Sequence, residues 1–273
     1  MKKYLYWLIA IFITLAAAVY QRMTGPTYPS RVSVSVDSTS YKFKLRRSHG
    51  GTTDCPVILP IADTGITAVL HYKRFPTQDE FTSIAFTRVG DSLTAVLPNQ
   101  PPAGKLEYYV EIFKGSTSVP SAVAGPVVIR FKGDVPAWVL IPHVFFMFFA
   151  MLFANLSGVM AIGKHPAFKR NTSITLLLLL AGGMILGPLV QKYAFDAYWT
   201  GIPFGYDLTD NKTLIGVVFW VIAWLGNRGK DRPYLTILAA IMLLLVYSIP
   251  HSMFGSELNY SSGQIHTGWI LFF

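Results

Sequence analysis

Five apolar stretches constrain the fold of this chain more than any other feature of its sequence. They cover residues 4–20, 138–162, 172–190, 214–225 and 234–249. A helix needs about 20 apolar residues to cross the hydrocarbon core of a bilayer. Asp, Glu, Lys and Arg together make up 14% of the chain, whereas an average soluble domain has about 25%. We therefore expect a membrane protein with several spans.

The first apolar stretch follows Lys2 and Lys3 and has two interpretations. Ala16, Ala17 and Ala18 provide the small residues of a signal-peptide cleavage site after a short apolar core. The stretch is also long enough to stay in the membrane as a signal-anchor helix. We favour the anchor, over residues 1–24, and keep cleavage as the alternative. Either interpretation places the following segment outside the cytoplasm.

Residues 25–134 have a different pattern, in which short alternating runs are separated by Pro, Gly, Ser and Thr. Period-two alternation between such turn residues is typical of strands. The strand candidates are residues 31–36, 41–46, 66–75, 81–89, 92–97, 106–113 and 127–131. Seven short strands in about 110 residues predict an all-β sandwich outside the membrane.

One local pattern in this segment carries a resemblance to a known family. Leu97 and Pro98 close one strand candidate, a Pro/Gly loop follows, and Leu106 opens the next strand. This arrangement resembles the corner between two strands of fibronectin type III and other immunoglobulin-like domains. The resemblance covers residues 28–132. It implies that the hydroxyl of Tyr108 bonds back to the upstream loop. A shared fold of this kind does not specify a function.

The basic residues indicate a topology for the membrane half. The net charge is +9, and the surplus lies in short groups beside apolar stretches: Lys2 and Lys3, then Lys164, Lys169 and Arg170, then Arg228, Lys230 and Arg232. Loops on the cytoplasmic side carry such an excess. We therefore expect a cytoplasmic N-terminus in the plasma (inner) membrane, a four-helix bundle over residues 135–254, and an outer C-terminal tail over residues 255–273. The same distribution excludes nucleic acid as a partner.

Two histidines are candidate cofactor ligands. His143 and His251 each follow an Ile-Pro pair, and both are expected at a similar depth near the outer end of their spans. Ionisable groups inside a span are costly, so they are candidates for function. Facing imidazoles would bind haem b or a divalent transition metal. The alternative is that each ring bonds a backbone carbonyl freed by the adjacent proline.

A second set of candidates lies in the predicted outer loops. Asp207, Asp210, Glu257 and His266 carry the oxygen and nitrogen ligands of a metal site, or the acids and bases of a hydrolase or transferase. The alternative for Asp207 is that it caps the helix starting near Asn211. The sequence contains no Gly-rich phosphate loop, GxSxG or HExxH motif. We therefore favour a protein without enzymatic activity and keep the hydrolase or transferase as an open alternative.

The sequence favours two other functions over that alternative. In the first, the external immunoglobulin-like domain binds or scaffolds a protein partner while the helices hold it in the lipid bilayer. In the second, the chain is a membrane redox or metal protein that acts through His143 and His251. Cys55 is the only cysteine, so an internal disulfide is excluded and a buried free thiol is expected.

Overall fold

A computed structural model describes residues 2–119, 125–250 and 256–266 of the chain. The described residues form two compact units. The helical unit consists of residues 2–26, 135–250 and 256. The sheet unit consists of residues 27–119, 125–134 and 257–266.

The helical unit contains the predicted apolar stretches as helices. These are α1 (Lys2–Thr24), α2 (Ala137–Ile162), α3 (Phe168–Leu179), α4 (Gly187–Phe195), α5 (Leu208–Gly226) and α6 (Pro233–Ser248). A π-helical segment, Leu180–Leu186, joins α3 to α4 and makes one continuous helix of 28 residues. Four helices, namely α1, α2, α3 with α4, and α5, are long and apolar enough to cross a membrane. Helix α6 is shorter, with 16 residues.

Glycines bring the π-helical segment close to its neighbours. A Cβ atom on Gly182 would lie 2.9 Å from the Sδ of Met147 on α2. A Cβ on Gly183 would lie 2.8 Å from the Cγ2 of Thr213 on α5. Both distances are too short for a real side chain, so the two glycines allow three helical segments to pack closely. The core of this unit continues through Trp220, which is fully buried.

The sheet unit is built from short strands. Eleven of them lie between residues 30 and 132: β1 (Ser30–Val36), β2 (Thr39–Leu45), β3 (Ser48–Gly50), β4 (Cys55–Leu59), β5 (Ile66–Arg74), β6 (Thr82–Ala85), β7 (Thr87–Val89), β8 (Ser92–Leu97), β9 (Lys105–Lys114), β10 (Thr117–Val119) and β11 (Val127–Lys132). Two more, β12 (Glu257–Leu258) and β13 (Ile265–His266), form a hairpin near the end of the described chain.

The strands are arranged as two sheets and a hairpin around one core. The large sheet has the order β3-β11-β9-β5-β6, with β10 also on β9, and the small sheet has the order β4-β8-β7. Only the β3–β11 pair is parallel among the described pairings. The hairpin β1–β2 stands beside them as a sheet of two strands. Its inward residues, such as Val34 and Phe43, share one hydrophobic cluster with Leu59 and Phe131 from the two sheets.

The strand prediction was wrong in two ways. The predicted strand over 81–89 is two strands, β6 and β7, which belong to different sheets. Strands β3, β4, β10, β12 and β13 were missed. Strand β4 contains Pro56, which has no N–H for a ladder, and proline in a run argues against a strand.

Tyr108 and Cys55 both lie in this core. The hydroxyl of Tyr108 donates to the carbonyl of Arg46 at 2.7 Å, so its acceptor lies between β2 and β3 and not in the loop just before β9. Cys55 is a fully buried free thiol. Burial raises the pKa of both groups, although the nearby Arg46 opposes the shift.

Candidate functional site

The predicted histidine pair is described at only one of its two residues. His143 lies on α2, where its Nδ1 is 2.9 Å from the carbonyl oxygen of Gly182 in the π-helical segment. That contact fixes the orientation of the ring and leaves Nε2 as the nitrogen for a ligand. His251 lies outside the described residues. The pairing of His143 with His251 therefore stays a prediction.

Asp207 caps a helix, as the alternative interpretation proposed. Its Oδ1 accepts the backbone N–H groups of Thr209 at 2.7 Å and Asp210 at 3.4 Å, at the start of α5. Its Oδ2 accepts the N–H and the hydroxyl of Ser256 at 3.1 and 3.3 Å. The carboxylate thus satisfies the first turn of α5 and fixes the chain that follows α6.

Asp210 lies in the first turn of α5 and is also buried. Its Oδ2 accepts the N–H of Thr200 at 2.6 Å and the Thr200 hydroxyl at 3.1 Å. The same hydroxyl accepts a bond from the amide of Gln191 on α4 at 2.5 Å. Asp210 therefore joins the α4–α5 loop to α5.

Lys212 is a residue that the sequence analysis missed. It is 5% exposed, and its ammonium donates to the carbonyl of Ile249 at 2.7 Å. A lysine at the edge of an apolar stretch was the available signal, because buried cations in such stretches need a partner. Together Asp207, Asp210 and Lys212 form a cluster, the α5 cluster, in which two carboxylates and one ammonium are held by backbone groups and hydroxyls.

Glu257 belongs to the sheet unit, whereas Asp207 and Asp210 belong to the helical unit. The carboxylate of Glu257 pairs with the ammonium of Lys105 at 2.9 Å. Burial lowers the pKa of Lys105, and Glu257 opposes that shift. His266 is opposite Glu257 in the β12–β13 register. Among the described residues, no three His, Cys, Asp or Glu side chains are grouped so as to hold a metal ion.

A set of aromatic and charged side chains lies on the outward side of the large sheet, and the sequence analysis did not identify it. The ring of His71 stacks on Tyr109 at 4.6 Å, and Phe81 meets Tyr109 edge to face at 5.2 Å. The ammonium of Lys73 lies 5.0 Å from the centre of the Phe81 ring. Lys73 also pairs with Glu107 at 3.7 Å. We call these five residues the aromatic face.

Ser83 and Glu111 lie beside His71 on the aromatic face. The hydroxyl of Ser83 is 2.9 Å from Nδ1 of His71, and a carboxylate oxygen of Glu111 is 3.3 Å from its Nε2. Acyl transfer by such a trio needs N–H donors converging on one oxygen. On a sheet the N–H groups lie in the plane of the strands and do not converge above Ser83. The contact with Ser83 therefore orients the ring of His71, whereas its Nε2 forms no hydrogen bond with Glu111.

The two sites differ in what they present to other molecules. The α5 cluster is buried, and the contacts described above occupy its carboxylates and its ammonium. The aromatic face is half-buried and borders exposed residues such as Thr82 and Ser83. It is thus the better candidate for contact with another protein. No protein-family model, curated protein or solved structure matches this chain.

Proposed function

We propose that this chain is a membrane protein whose immunoglobulin-like domain, the sheet unit, docks a protein partner outside the cytoplasm through the aromatic face. The helices hold the domain in the bilayer. The basic loops beside the apolar helices support a cytoplasmic N-terminus in the plasma (inner) membrane. The length and apolar character of α1 support its role as an uncleaved anchor.

The strand order supports the immunoglobulin-like assignment. In that fold, one sheet contains strands B, E and D and the other contains C, F and G. Strands β4, β8 and β7 have the first arrangement, and β5, β9 and β11 have the second. Tyr108 lies near the start of β9, but its acceptor, Arg46, lies outside the loop before β9, so this residue does not add support to the assignment. The chain departs from the antibody pattern because Cys55 on β4 has no second cysteine to pair with.

The observation that carries the proposal is the composition of the aromatic face. Aromatic residues are enriched at protein–protein interfaces, where a few of them contribute most of the binding energy. Here Tyr109, His71 and Phe81 form a stacked group. Lys73, Glu107 and Glu111 supply charges at its edge. The stacking fixes the rings before binding, so little side-chain entropy is lost on contact.

Site-specific photocrosslinking in the native membrane tests this proposal. A photoreactive amino acid replaces Thr82, an exposed residue beside Phe81, and in a second strain it replaces Thr87, which is exposed on the small sheet. We expect one recurring protein adduct at position 82 and none at position 87. The variant Phe81→Ala removes a ring that lies outside the core cluster, and we expect it to reduce the adduct at least fivefold.

Three outcomes would overturn the proposal. The first is the same adduct from positions 82 and 87, which indicates random collision. The second is an adduct that Phe81→Ala leaves unchanged while the variant stays folded by circular dichroism. The third is the absence of an adduct at either position.

The second candidate function is haem or metal binding through His143 and His251. It is favoured by the contact between Nδ1 of His143 and Gly182, since metal-bound histidines usually bond a carbonyl through the other nitrogen. We expect an absorption band or stoichiometric metal in the purified protein, and its loss in His143→Ala. Purified protein that has neither excludes this function.

A further inference from the structure

The outward side of the hairpin β1–β2 is basic. Its inward residues, including Val32 and Leu45, are buried in the core of the sheet unit. The alternating positions carry Arg31, Lys42 and Lys44, which are all exposed. We call these three residues the basic face.

The cations of the basic face lie close together. Arg31 is directly opposite Lys44 in the antiparallel register, and Lys42 is opposite Ser33. Like charges facing each other across strands are destabilising. The same residues line a surface depression of about 440 Å³, together with Val32 and Phe43. The hairpin thus concentrates positive charge around a hollow, at a cost to its own stability.

No carboxylate neutralises these cations within the described chain. Three other lysines of the sheet unit are paired: Lys73 with Glu107, Lys105 with Glu257, and Lys114 with Asp63. The described ion pairs include none of the residues of the basic face. The guanidinium of Arg31 instead donates a hydrogen bond to the hydroxyl of Tyr28 at 2.7 Å. The unbalanced charge is therefore a surface property of this hairpin.

The position of the hairpin in the chain indicates what it meets. Helix α1 ends at Thr24 and β1 begins at Ser30. Extended chain spans at most about 3.6 Å per residue, so this connection reaches about 20 Å. Arg31 and Lys44 lie at the end of the hairpin joined to α1, and Asp37 lies at the turn on the opposite end. The cations are thus concentrated where the chain leaves the apolar helix.

We propose that the basic face binds the anionic phospholipid headgroups of the membrane that α1 crosses. The phosphates are the ligand, and the Lys and Arg side chains are their donors. Each cation near an anionic membrane surface raises the local affinity roughly fivefold. The connection of about 20 Å is long enough for this face to reach the headgroups, whereas an acidic protein would have to diffuse to it. The proposal uses a different surface from the aromatic face and does not depend on it.

Headgroup quenching in nanodiscs tests this proposal with the full-length chain. The exposed Ser33 is replaced by cysteine and labelled with a fluorophore, while Cys55, at 0% exposed, does not compete for the label. The nanodiscs contain phosphatidylcholine alone or with phosphatidylglycerol, and both carry a nitroxide on the headgroup. We expect at least threefold stronger quenching with phosphatidylglycerol, and loss of that difference in high salt, which screens charges.

A charge-reversed variant and a matched control complete the experiment. Lys42→Glu with Lys44→Glu removes the like-charge contact with Arg31, so the hairpin keeps its fold, and we expect quenching at the neutral-lipid level. Ser38→Glu with Ser40→Glu adds two negative charges to the same hairpin at exposed residues of its turn end, away from Lys44. We expect that control to quench like the unmodified chain.

Three results would overturn the proposal. The first is equal quenching in the two lipid compositions at low salt. The second is unchanged quenching in the Lys42→Glu, Lys44→Glu variant. The third combines two observations: quenching does not depend on the lipid, and photocrosslinking from position 33 in native membranes gives a protein adduct that the Lys42→Glu, Lys44→Glu variant abolishes. That result would assign the basic face to an acidic protein partner.

Discussion

The two units of this molecule both bury apolar side chains, but they differ in the polar side chains that they bury and the apolar ones that they expose. Among the described residues, every buried polar or charged side chain except Arg130 lies in the helical unit. The exposed large hydrophobic residues show the converse, since the described part of the sheet unit exposes only Ile58, Val89 and Val96. The sheet unit has the interior of a protein folded in water. The helical unit has an apolar exterior and polar contacts inside.

The contrast teaches which interaction specifies each unit. In water, apolar burial drives folding and needs few polar contacts inside. Between helices in lipid that drive is absent, and packing with interhelical hydrogen bonds replaces it. The helical unit has such a series of contacts. The hydroxyl of Thr172 on α3 lies 3.0 Å from that of Ser157 on α2 and 3.3 Å from that of Thr236 on α6. Asn227, beside the end of α5, lies 3.4 Å from Thr236.

The largest expected effect is a cavity in the core of the sheet unit. Phe131 on β11 is fully buried, and truncation of a core phenylalanine costs about 3–5 kcal/mol. We expect Phe131→Ala to destabilise the sheet unit by that amount and to leave the helical unit unchanged. Hydrogen exchange of each unit in the full-length protein measures both. Val89→Ala, at a residue 64% exposed, is the control and should cost less than about 0.5 kcal/mol.

Removal of a buried carboxylate should have the next largest effect, in the helical unit. Asp210→Ala leaves the N–H and hydroxyl of Thr200 without their acceptor. Hydrogen bonds to charged groups contribute about 1.5–3 kcal/mol each, so we expect a loss in that range. Asp210→Asn keeps one oxygen and should recover part of it. Thermal unfolding in detergent compares the three proteins. Equal stability of all three would show that apolar packing, not polar contact, sets the stability of this unit.

The coarse architecture was predictable because it depends on patterns that repeat over many residues. Long apolar stretches such as 138–162 predicted helices, and alternation over 31–36 and 41–46 predicted the hairpin strands. The missed elements depend on pairings between segments that are distant in the sequence. Strand β4 pairs along β8 in spite of Pro56. Residues 257–266 belong to the sheet unit, where the backbone N–H of Leu258 donates to the carbonyl of Ala103. No pattern in their sequence predicts that assignment.

The sites were less predictable than the fold. Asp207 was identified with capping as its alternative role, because an Asp before an apolar stretch is a local signal. The aromatic face was not identified, since His71, Phe81 and Tyr109 come from separate segments and meet only through the β5–β6 and β5–β9 pairings. Lys212 was not identified, although it lies two residues before the apolar stretch 214–225. Its acceptor, the carbonyl of Ile249, is 37 residues away in the sequence. The residues around Lys212 therefore do not predict this contact.

Alkaline pH should weaken the sheet unit through Tyr108. Burial raises the pKa of this hydroxyl in the folded state, whereas the unfolded chain ionises near pH 10. Above that pH the unfolded state binds fewer protons, so stability falls by up to about 1.4 kcal/mol per pH unit for this group. At neutral pH, Tyr108→Phe should be less stable than the unmodified chain by about 1 kcal/mol, because it lacks the hydrogen bond to Arg46. Between pH 10 and 11, however, its stability should fall less than that of the unmodified chain. Urea unfolding at three pH values measures the difference, and parallel pH profiles would contradict it.

The smallest expected effect comes from the removal of one buried hydroxyl. Two variants compare a hydroxyl that contacts other helices with one that bonds only its own helix. Thr172→Val removes the hydroxyl that lies near Ser157 and Thr236, and such contacts contribute about 0.6 kcal/mol on average in membrane proteins. Thr175 is equally buried, but its hydroxyl bonds only Asn171 on its own helix among the described contacts. We expect Thr175→Val to leave the unfolding free energy in detergent unchanged, because the carbonyl of Asn171 keeps its helical bond. If both variants are neutral, the buried hydroxyls do not hold the helices together. A loss confined to Thr172→Val attributes the interhelical stabilisation to this series of contacts.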